Sequence, residues 1–302
     1  VVLAASSAWI PFLLGAFTVG LAGGLLDAGV NSYVAVHRGA RAMGIIHTGF
    51  GIGSTLGPLL VTLLISVGWS WRVAFLALAA AELILALAFM ATVSALESNE
   101  RESGSRPSVG QNGLVLALSL TVFFLYAGIA AGTGAWSYSL LTEGRGISTG
   151  VAGVAVAAYW GGVTAGRVAL GIFGNRIEPN RVLTMSAFGT VASLALLWFA
   201  PTPWLGIVGL VASGLSHGFV FPLEVLLTPQ RFGAGFTPWA VGYEIAAANV
   251  GVAVLSGGIG LLVGAMGIGI VAPALFVLAL LLWTAIEMLR VQSTLRLSAA
   301  RS

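Results

Sequence analysis

Long apolar runs separated by short polar breaks cover the chain from end to end. A helix needs roughly 20 mostly apolar residues to cross a bilayer. Stretches of that kind lie at 10–36, 43–67, 71–95, 114–136, 149–173, 182–200, 205–228, 237–262 and 268–289. Val1–Ser6 is too short to cross and reads as the end of a further helix. Because the runs are continuous rather than alternating, they predict membrane-spanning helices and not a barrel. One break is long. Leu96–Gly113, LESNERESGSRPSVGQNG, carries Glu97, Glu100, Arg101, Glu102 and Arg106 and almost nothing apolar. It reads as a solvated cytoplasmic linker at 96–113, dividing an N-terminal helical bundle (1–95) from a C-terminal six-helix bundle (114–290), with a tail at 291–302.

Composition agrees. Hydrophobic residues are 58% of the 302, Gly contributes 42 more, and charged residues are 8%, against about 25% in soluble domains. Mean hydropathy is +1.01. So few charges would leave a soluble fold without a polar surface, so the expected class is an all-α integral membrane protein. The 13 cationic side chains are all Arg and thinly spread, which argues against nucleic acid as a partner. Cys is absent, which excludes disulfides and thiolate chemistry. No G-x-x-x-x-G-K-[ST], H-E-x-x-H or G-x-S-x-G occurs. No nucleotide, metal or cofactor is therefore implied, and an enzyme is the weakest of the function classes.

Arg placement sets the orientation. With Val1–Trp9 outside, the inner loops and tail hold Arg38, Arg41, Arg101, Arg106, Arg176, Arg181, Arg231, Arg290, Arg296 and Arg301. Only Arg72 and Arg145 fall outside, and Arg167 lies within a helix near its inner end. The C-terminus is thus expected to be cytoplasmic.

Gly20–Leu60 and Gly214–Leu255 form a weak parallel repeat. Gly20, Leu21 and Gly24 match Gly214, Leu215 and Gly218, and a Gly-aromatic pair follows each inner loop (Gly49–Phe50, Gly242–Tyr243). Parallel halves related by an axis along the membrane normal belong to a large transporter class whose solute site lies between the halves. A second half of six helices then predicts three more before Val1, about a hundred residues.

The residues now resemble a known family, the major facilitator superfamily, over its fourth to twelfth helices. GRVALGIFGNRIEPNR (Gly166–Arg181) is similar to its basic inner-loop signature, with Gly166, Arg167, Arg176 and Arg181 in the matching places and Asn175 where an acid is usual. LLDAGVNSYV (Leu25–Val34) and AYWGGVTAGR (Ala158–Arg167) resemble the fucose-permease group. That resemblance implies a twelve-helix, two-bundle fold and a sugar:proton symporter, and it carries substrate binding and proton coupling to Asp27.

Ionisable groups at helix depth each cost about 2.5–3.5 kcal/mol on insertion scales. Asp27 is the lone Asp. Asn31, Gly20, Gly23 and Gly24 share its face, so it either titrates and binds solute or pairs with an Arg as a lock. His47 is placed to share a proton with Asp27, or to bond a carbonyl as a neutral ring. Glu244 is a further proton or solute candidate. Glu224 reads better as a structural partner of Arg231, and Glu82 has no assigned role. Tyr126, Tyr159, Trp136 and Trp160 are candidate cavity aromatics, with Trp160 the foremost. Trp9, Trp69, Trp71 and Trp204 read as interfacial belt residues. Arg167 is assigned to an inner gate.

The resulting expectation is a monomeric, multi-pass secondary transporter of the cell membrane, moving a small polar solute with protons by alternating access. The rival is a proton-coupled drug or metabolite efflux antiporter. For it speak Gly44, Gly53, Gly57 and Pro58, which resemble the front of the superfamily's antiporter signature, although Val61 and Thr62 stand where its trailing glycines belong.

Overall fold

The computed structural model describes residues 1–96 and 113–299. Among them every regular element is helical: α1 (Val2–Ala5), α2 (Trp9–His37), α3 (Ala40–Ser66), α4 (Trp71–Leu96), α5 (Gly113–Arg145), α6 (Thr149–Phe173), α7 (Pro179–Phe199), α8 (Pro203–Phe232), α9 (Thr237–Met266) and α10 (Val271–Ala299), with short 3₁₀ turns at Gly174–Arg176 and Ile268–Ile270. Eight of the helices, α2 and α4 through α10, are long and apolar enough to cross a membrane by length and composition among the described residues. The chain is an all-α, multi-pass membrane protein. α3, also expected as a span, is a helix of 27 residues, several of whose side chains lie outside the described ones. The linker expected at 96–113 likewise falls, but for its ends, outside the described residues.

Helix boundaries follow local chemistry more than hydropathy. An apolar run ends near Trp136, yet α5 continues to Arg145 because Ser137, Leu140 and Leu141 are buried in the core. It stops before Gly146, whose φ of 65° is a left-handed conformation that glycine adopts without steric cost. α7 starts where the Glu178 carboxylate accepts the N–H groups of Asn180 and Arg181, with Pro179 in the first turn. Thr202 caps α8 in the same way, accepting from Leu205 N–H ahead of Pro203. α10 runs to Ala299, beyond the expected end of its apolar stretch.

The described residues fall into two compact units: 1–26 with 52–96, and 27–51 with 113–299. In the first, α1 packs on α4. Trp9, Phe12, Trp71 and Phe75 form a file of edge-to-face rings with centroids 5.9, 6.4 and 5.7 Å apart. Arg72 stacks over Trp71 and donates to the Ser6 carbonyl at 2.9 Å. A belt role fits this cluster, since Trp9, Trp69 and Trp71 are all exposed.

In the second unit α5–α10 form a bundle with its tightest pairings at α5–α9, α7–α8 and α6–α8. The α6–α8 seam is made of small residues. Gly162 and Gly166 on α6 face Gly214 and Gly218 on α8, and a Cβ added at Gly166 would stand 2.7 Å from the Leu215 carbonyl oxygen. Two facing small-xxx-small rows let backbones touch in a setting where burial from lipid gives no hydrophobic gain. The matching Gly20 and Gly24 of the sequence repeat meet nothing within 4 Å of a built Cβ among the described residues.

Candidate functional site

Three helices, α2, α3 and α6, carry polar groups of the second unit toward one another. On α2, Asp27 and Asn31 are one turn apart, so their side chains stack on one face. The Asn31 amide donates to Asp27 Oδ1 at 2.7 Å and to the Asp27 backbone carbonyl at 2.9 Å. A backbone carbonyl only accepts, so the Asn31 nitrogen is assigned without ambiguity and its oxygen faces the other way. That oxygen lies 3.0 Å from His47 Nε2 on α3, so His47 must donate from Nε2–H. The result is a directed chain, His47 to Asn31 to Asp27, across two helices.

The two ends of this chain differ in setting. Asn31 and His47 are buried, 1% and 6% exposed, while the Asp27 side is exposed. Among the described residues no ion pair closes on Asp27. Arg167 of α6 acts electrostatically on both Asp27 and His47. Its guanidinium sits 5.1 Å from the Phe50 ring, it is itself buried, and its Nε has no hydrogen-bond partner among the described residues.

Behind His47 runs an aromatic file. Its ring meets Phe221 edge-on at 5.1 Å. Phe221 also touches Phe123 at 5.3 Å and Tyr126 at 5.8 Å, and Tyr126 lies 5.4 Å from His217. His217 is fully buried. Its Nδ1 donates to the Ser213 carbonyl at 3.2 Å, which leaves Nε2 as an acceptor without a partner among the described residues. Tyr159 donates to the Ala130 carbonyl at 3.2 Å and is buried.

A second polar cluster lies between α5, α8 and α9. Glu244 is fully buried. Ser119 donates to its Oε1 at 2.5 Å, and Thr228 Oγ1 stands 3.0 and 3.2 Å from its two oxygens. Thr228 Oγ1 is also 3.2 Å from the Glu224 carbonyl oxygen. Glu224 pairs with Arg231 as expected, at 2.5 Å and almost wholly out of solvent.

The structure thus brings Asp27, Asn31, His47 and Arg167 together, and sets Tyr126 within the same aromatic file, between Phe221 and His217. Glu244 stands in the second cluster. Trp160 is half-exposed, edge-on to Tyr159 at 5.1 Å and packed over Gly134. Trp136 bonds the Ser256 carbonyl at 3.1 Å and ties α5 to α9. Gly166 serves the α6–α8 seam. Arg176 in the α6–α7 turn and Arg181 in the first turn of α7 are exposed, and Arg181 N–H caps onto Glu178. Arg145 reaches the Leu197 carbonyl. Glu82 is exposed on α4. The side chains of Thr55 and Pro58 lie outside the described residues. Sequence reading missed His217, Ser119, Thr228 and Phe221. A His inside an apolar helix was a usable signal for the first. Serine and threonine in helices ordinarily bond back to their own turn, so the hydroxyls gave none.

Comparison with known proteins agrees with this architecture. A family model described as Major Facilitator Superfamily matches residues 1–236. The glucose/mannose transporter GlcP of Bacillus subtilis (strain 168) is 24% identical over 233 residues, 72% of this chain and 57% of its own length. The fosmidomycin resistance protein of Escherichia coli (strain K12) is 28% identical over 251 residues, 77% of this chain and 60% of its own. The chain therefore spans less than two thirds of the curated relatives it matches. Among solved structures, the transporter FucP in the outward conformation superposes with a TM-score of 0.72 at 14% identity, over 95% of this chain and 78% of that one. The human organic anion transporter MFSD10 (TETRAN) does so at 0.71 and 17% identity, over 94% of this chain and 73% of that one. Both likenesses establish the fold alone.

Proposed function

The chain belongs to the major facilitator superfamily, and from that premise we propose that it is part of a proton-coupled secondary transporter for a small polar solute, a hexose-like sugar first among them. The observation that carries this reading is the chain of hydrogen bonds from buried His47 through Asn31 to Asp27. A carboxylate inside a membrane helix is expensive, and here it is held by an amide and left without an ion pair among the described residues. Such a group is available to bind a proton or a solute hydroxyl. Asn31 fixes its orientation, and His47 responds to its charge through the amide. Arg167, whose charge acts on both, couples the pair electrostatically to α6.

Proton and solute are linked if each changes the other's affinity by one common factor. Protonation of Asp27 removes a charge that closure around the solute would otherwise desolvate, so the loaded, protonated form is the one that turns over. Rocking of two bundles about a midplane site then gives alternating access. In this reading the protein acts as a monomer in the cell membrane, with its Arg-rich loops and C-terminus in the cytoplasm, and it performs no covalent chemistry. Sugar transport is favoured because GlcP is named for glucose and mannose and a structural neighbour is a fucose:proton symporter.

A second reading has its own support. The fosmidomycin resistance protein is similar over more of this chain than GlcP is, which fits a proton-driven efflux antiporter. Uptake of labelled glucose, mannose and fucose into proteoliposomes, with and without an imposed pH gradient, separates the two. We expect gradient-driven accumulation of at least one sugar, sugar-dependent alkalinisation outside, and loss of accumulation in Asp27→Asn with exchange retained. Fosmidomycin efflux with no sugar-dependent proton movement would replace the first reading by the second.

A further inference from the structure

We propose that Glu244 is a proton-binding site in its own right, and that its protonated form holds shut an apolar contact in which Val34 and Met43 pack with Val241 and Ile245. This site is separate from the Asp27 group and does not depend on the identity of the solute.

The argument begins with charge. Glu224 and Arg231 neutralise each other in a setting that is almost wholly out of solvent. Glu244, fully buried beside them, forms no ion pair among the described residues. Its hydrogen-bond partners are the hydroxyls of Ser119 and Thr228, and the charged groups that act on it are Arg231 and Glu224. Glu287 and Arg290 of α10 are bound to one another, and Glu287 also takes the Thr184 hydroxyl. From α2 and α3, Val34, Ala35 and Met43 pack in the apolar cluster that adjoins it. An ionised Glu244 therefore puts a net negative charge into a membrane-embedded core, whereas the neutral acid does not.

The partners suit the neutral acid. In the neutral acid the O–H on Oε2 gives its hydrogen to Thr228 Oγ1, 3.0 Å away, whereas the ionised carboxylate accepts the Thr228 hydroxyl across the same distance. Thr228 passes its own hydrogen to the Glu224 carbonyl at 3.2 Å. Ser119 donates to the remaining Oε1 at 2.5 Å. Each hydrogen in this set has one acceptor.

Placement then gives the proton a task. Ile245 follows Glu244 directly, and Val241 is one turn before it. Val225 follows Glu224. These three pack in one cluster with Val34 and Ala35 of α2, Met43 of α3 and Phe123 of α5. The apolar layer therefore lies on the same turns as the buried acids. When the acid gives its proton to water, the carboxylate left behind needs solvation, and parting that layer admits it. Reprotonation from water restores the neutral acid and the closed layer. No other species is needed for the balance.

Because the protein contains no Cys, a single reporter tests the idea. In the full chain reconstituted into liposomes, Val34→Cys is labelled with N-ethylmaleimide from about pH 5 to about pH 9, the span in which buried carboxylic acids ionise. Thiol reactivity itself grows with pH, so each rate is divided by that of the exposed position Ser148→Cys. We expect the normalised rate to rise about tenfold, within ordinary coupling free energies. Adding Glu244→Gln should pin it at its low-pH value, while adding Asp27→Asn should leave the rise intact. A flat profile in the parent, or a rise that survives Glu244→Gln, overturns the proposal. Loss of the rise in Asp27→Asn overturns its independence from the solute site. Failure of sugar or drug transport alone would sink the carrier reading and leave this one standing. Should Glu244→Gln not fold, the pH-difference infrared spectrum of the parent is read instead. A protonated-carboxyl band that Glu244→Asp displaces supports the site, and its absence or indifference to Glu244→Asp refutes it.

Discussion

Asn31 commits its amide nitrogen to Asp27, at 2.7 Å from the carboxylate and 2.9 Å from the backbone carbonyl, and so turns its oxygen to His47. It is the only group described between the exposed carboxylate and the buried ring. Asn31→Leu keeps the volume and removes both links. Leaving a buried His without its partner costs about 1–3 kcal/mol, so proton-driven uptake should fall by one to two orders of magnitude while the protein remains folded. Initial rates in proteoliposomes, beside thermal denaturation in detergent, check this. Undiminished uptake would remove the relay from the coupling reaction.

The Glu224–Arg231 pair supports a sharper stability test. Removing one member of a buried pair strands the other, at about 3–5 kcal/mol, whereas replacing both is far cheaper. Arg231→Gln should therefore destabilise strongly, and Glu224→Gln with Arg231→Gln should recover much of the loss. Thermal denaturation of the two single variants and the double variant, compared at neutral pH, gives the coupling energy. Additive losses would mean that the pair contributes nothing as a pair.

Glycines that look alike in the sequence should behave differently. At Gly214 a methyl group would meet the backbone carbonyl of Tyr159, and at Gly251 that of Phe124; at Gly24 it would meet nothing within 4 Å. Overpacking that backbone has to absorb costs about 1–3 kcal/mol or more. Gly214→Ala and Gly251→Ala should lower the melting temperature clearly, while Gly24→Ala should leave it where it is. Equal effects at all three would contradict the seam packing.

These cases show what the sequence could reveal. The helical class, most helix positions and the Glu224–Arg231 pair followed from hydropathy and from ionisable groups two turns apart. Asp27 stood out because an acid in an apolar run is costly and calls for either a titrating role or a paired Arg, and Asn31 because helical spacing fixes its neighbour. The link to His47 needed a crossing of α2 and α3 that no local pattern encodes. Arg167 is assigned by its motif to an inner gate, and the placement of its guanidinium over Phe50 is a contact that motif does not encode. Ser119 and Thr228 were invisible, since a hydroxyl at helix depth usually satisfies itself on its own turn. Their importance comes only from the buried carboxylate that three helices bring to them.

The cap of α7 makes a prediction that depends on pH. Slight burial opposes ionisation of Glu178, but the N–H groups of Arg181 and Asn180, the Asn180 amide and the Arg181 charge outweigh it and hold the carboxyl below its ordinary range. A depressed carboxylate stabilises the fold fully above its unfolded value of about 4.3 and loses that contribution as pH falls through the folded value. Caps of this kind are worth about 1 kcal/mol, and the exposed ion-pair part is screened and small. Glu178→Ala should therefore be less stable than the parent at neutral pH, with the gap closing as the solution is made strongly acidic. Glu178→Gln, which keeps an acceptor oxygen without a charge, should show a smaller gap with little pH dependence. Thermal denaturation in detergent at neutral, mildly acidic and strongly acidic pH reads all three, and a gap for Glu178→Ala that stays constant across the series would show that the carboxylate charge plays no part in starting the helix.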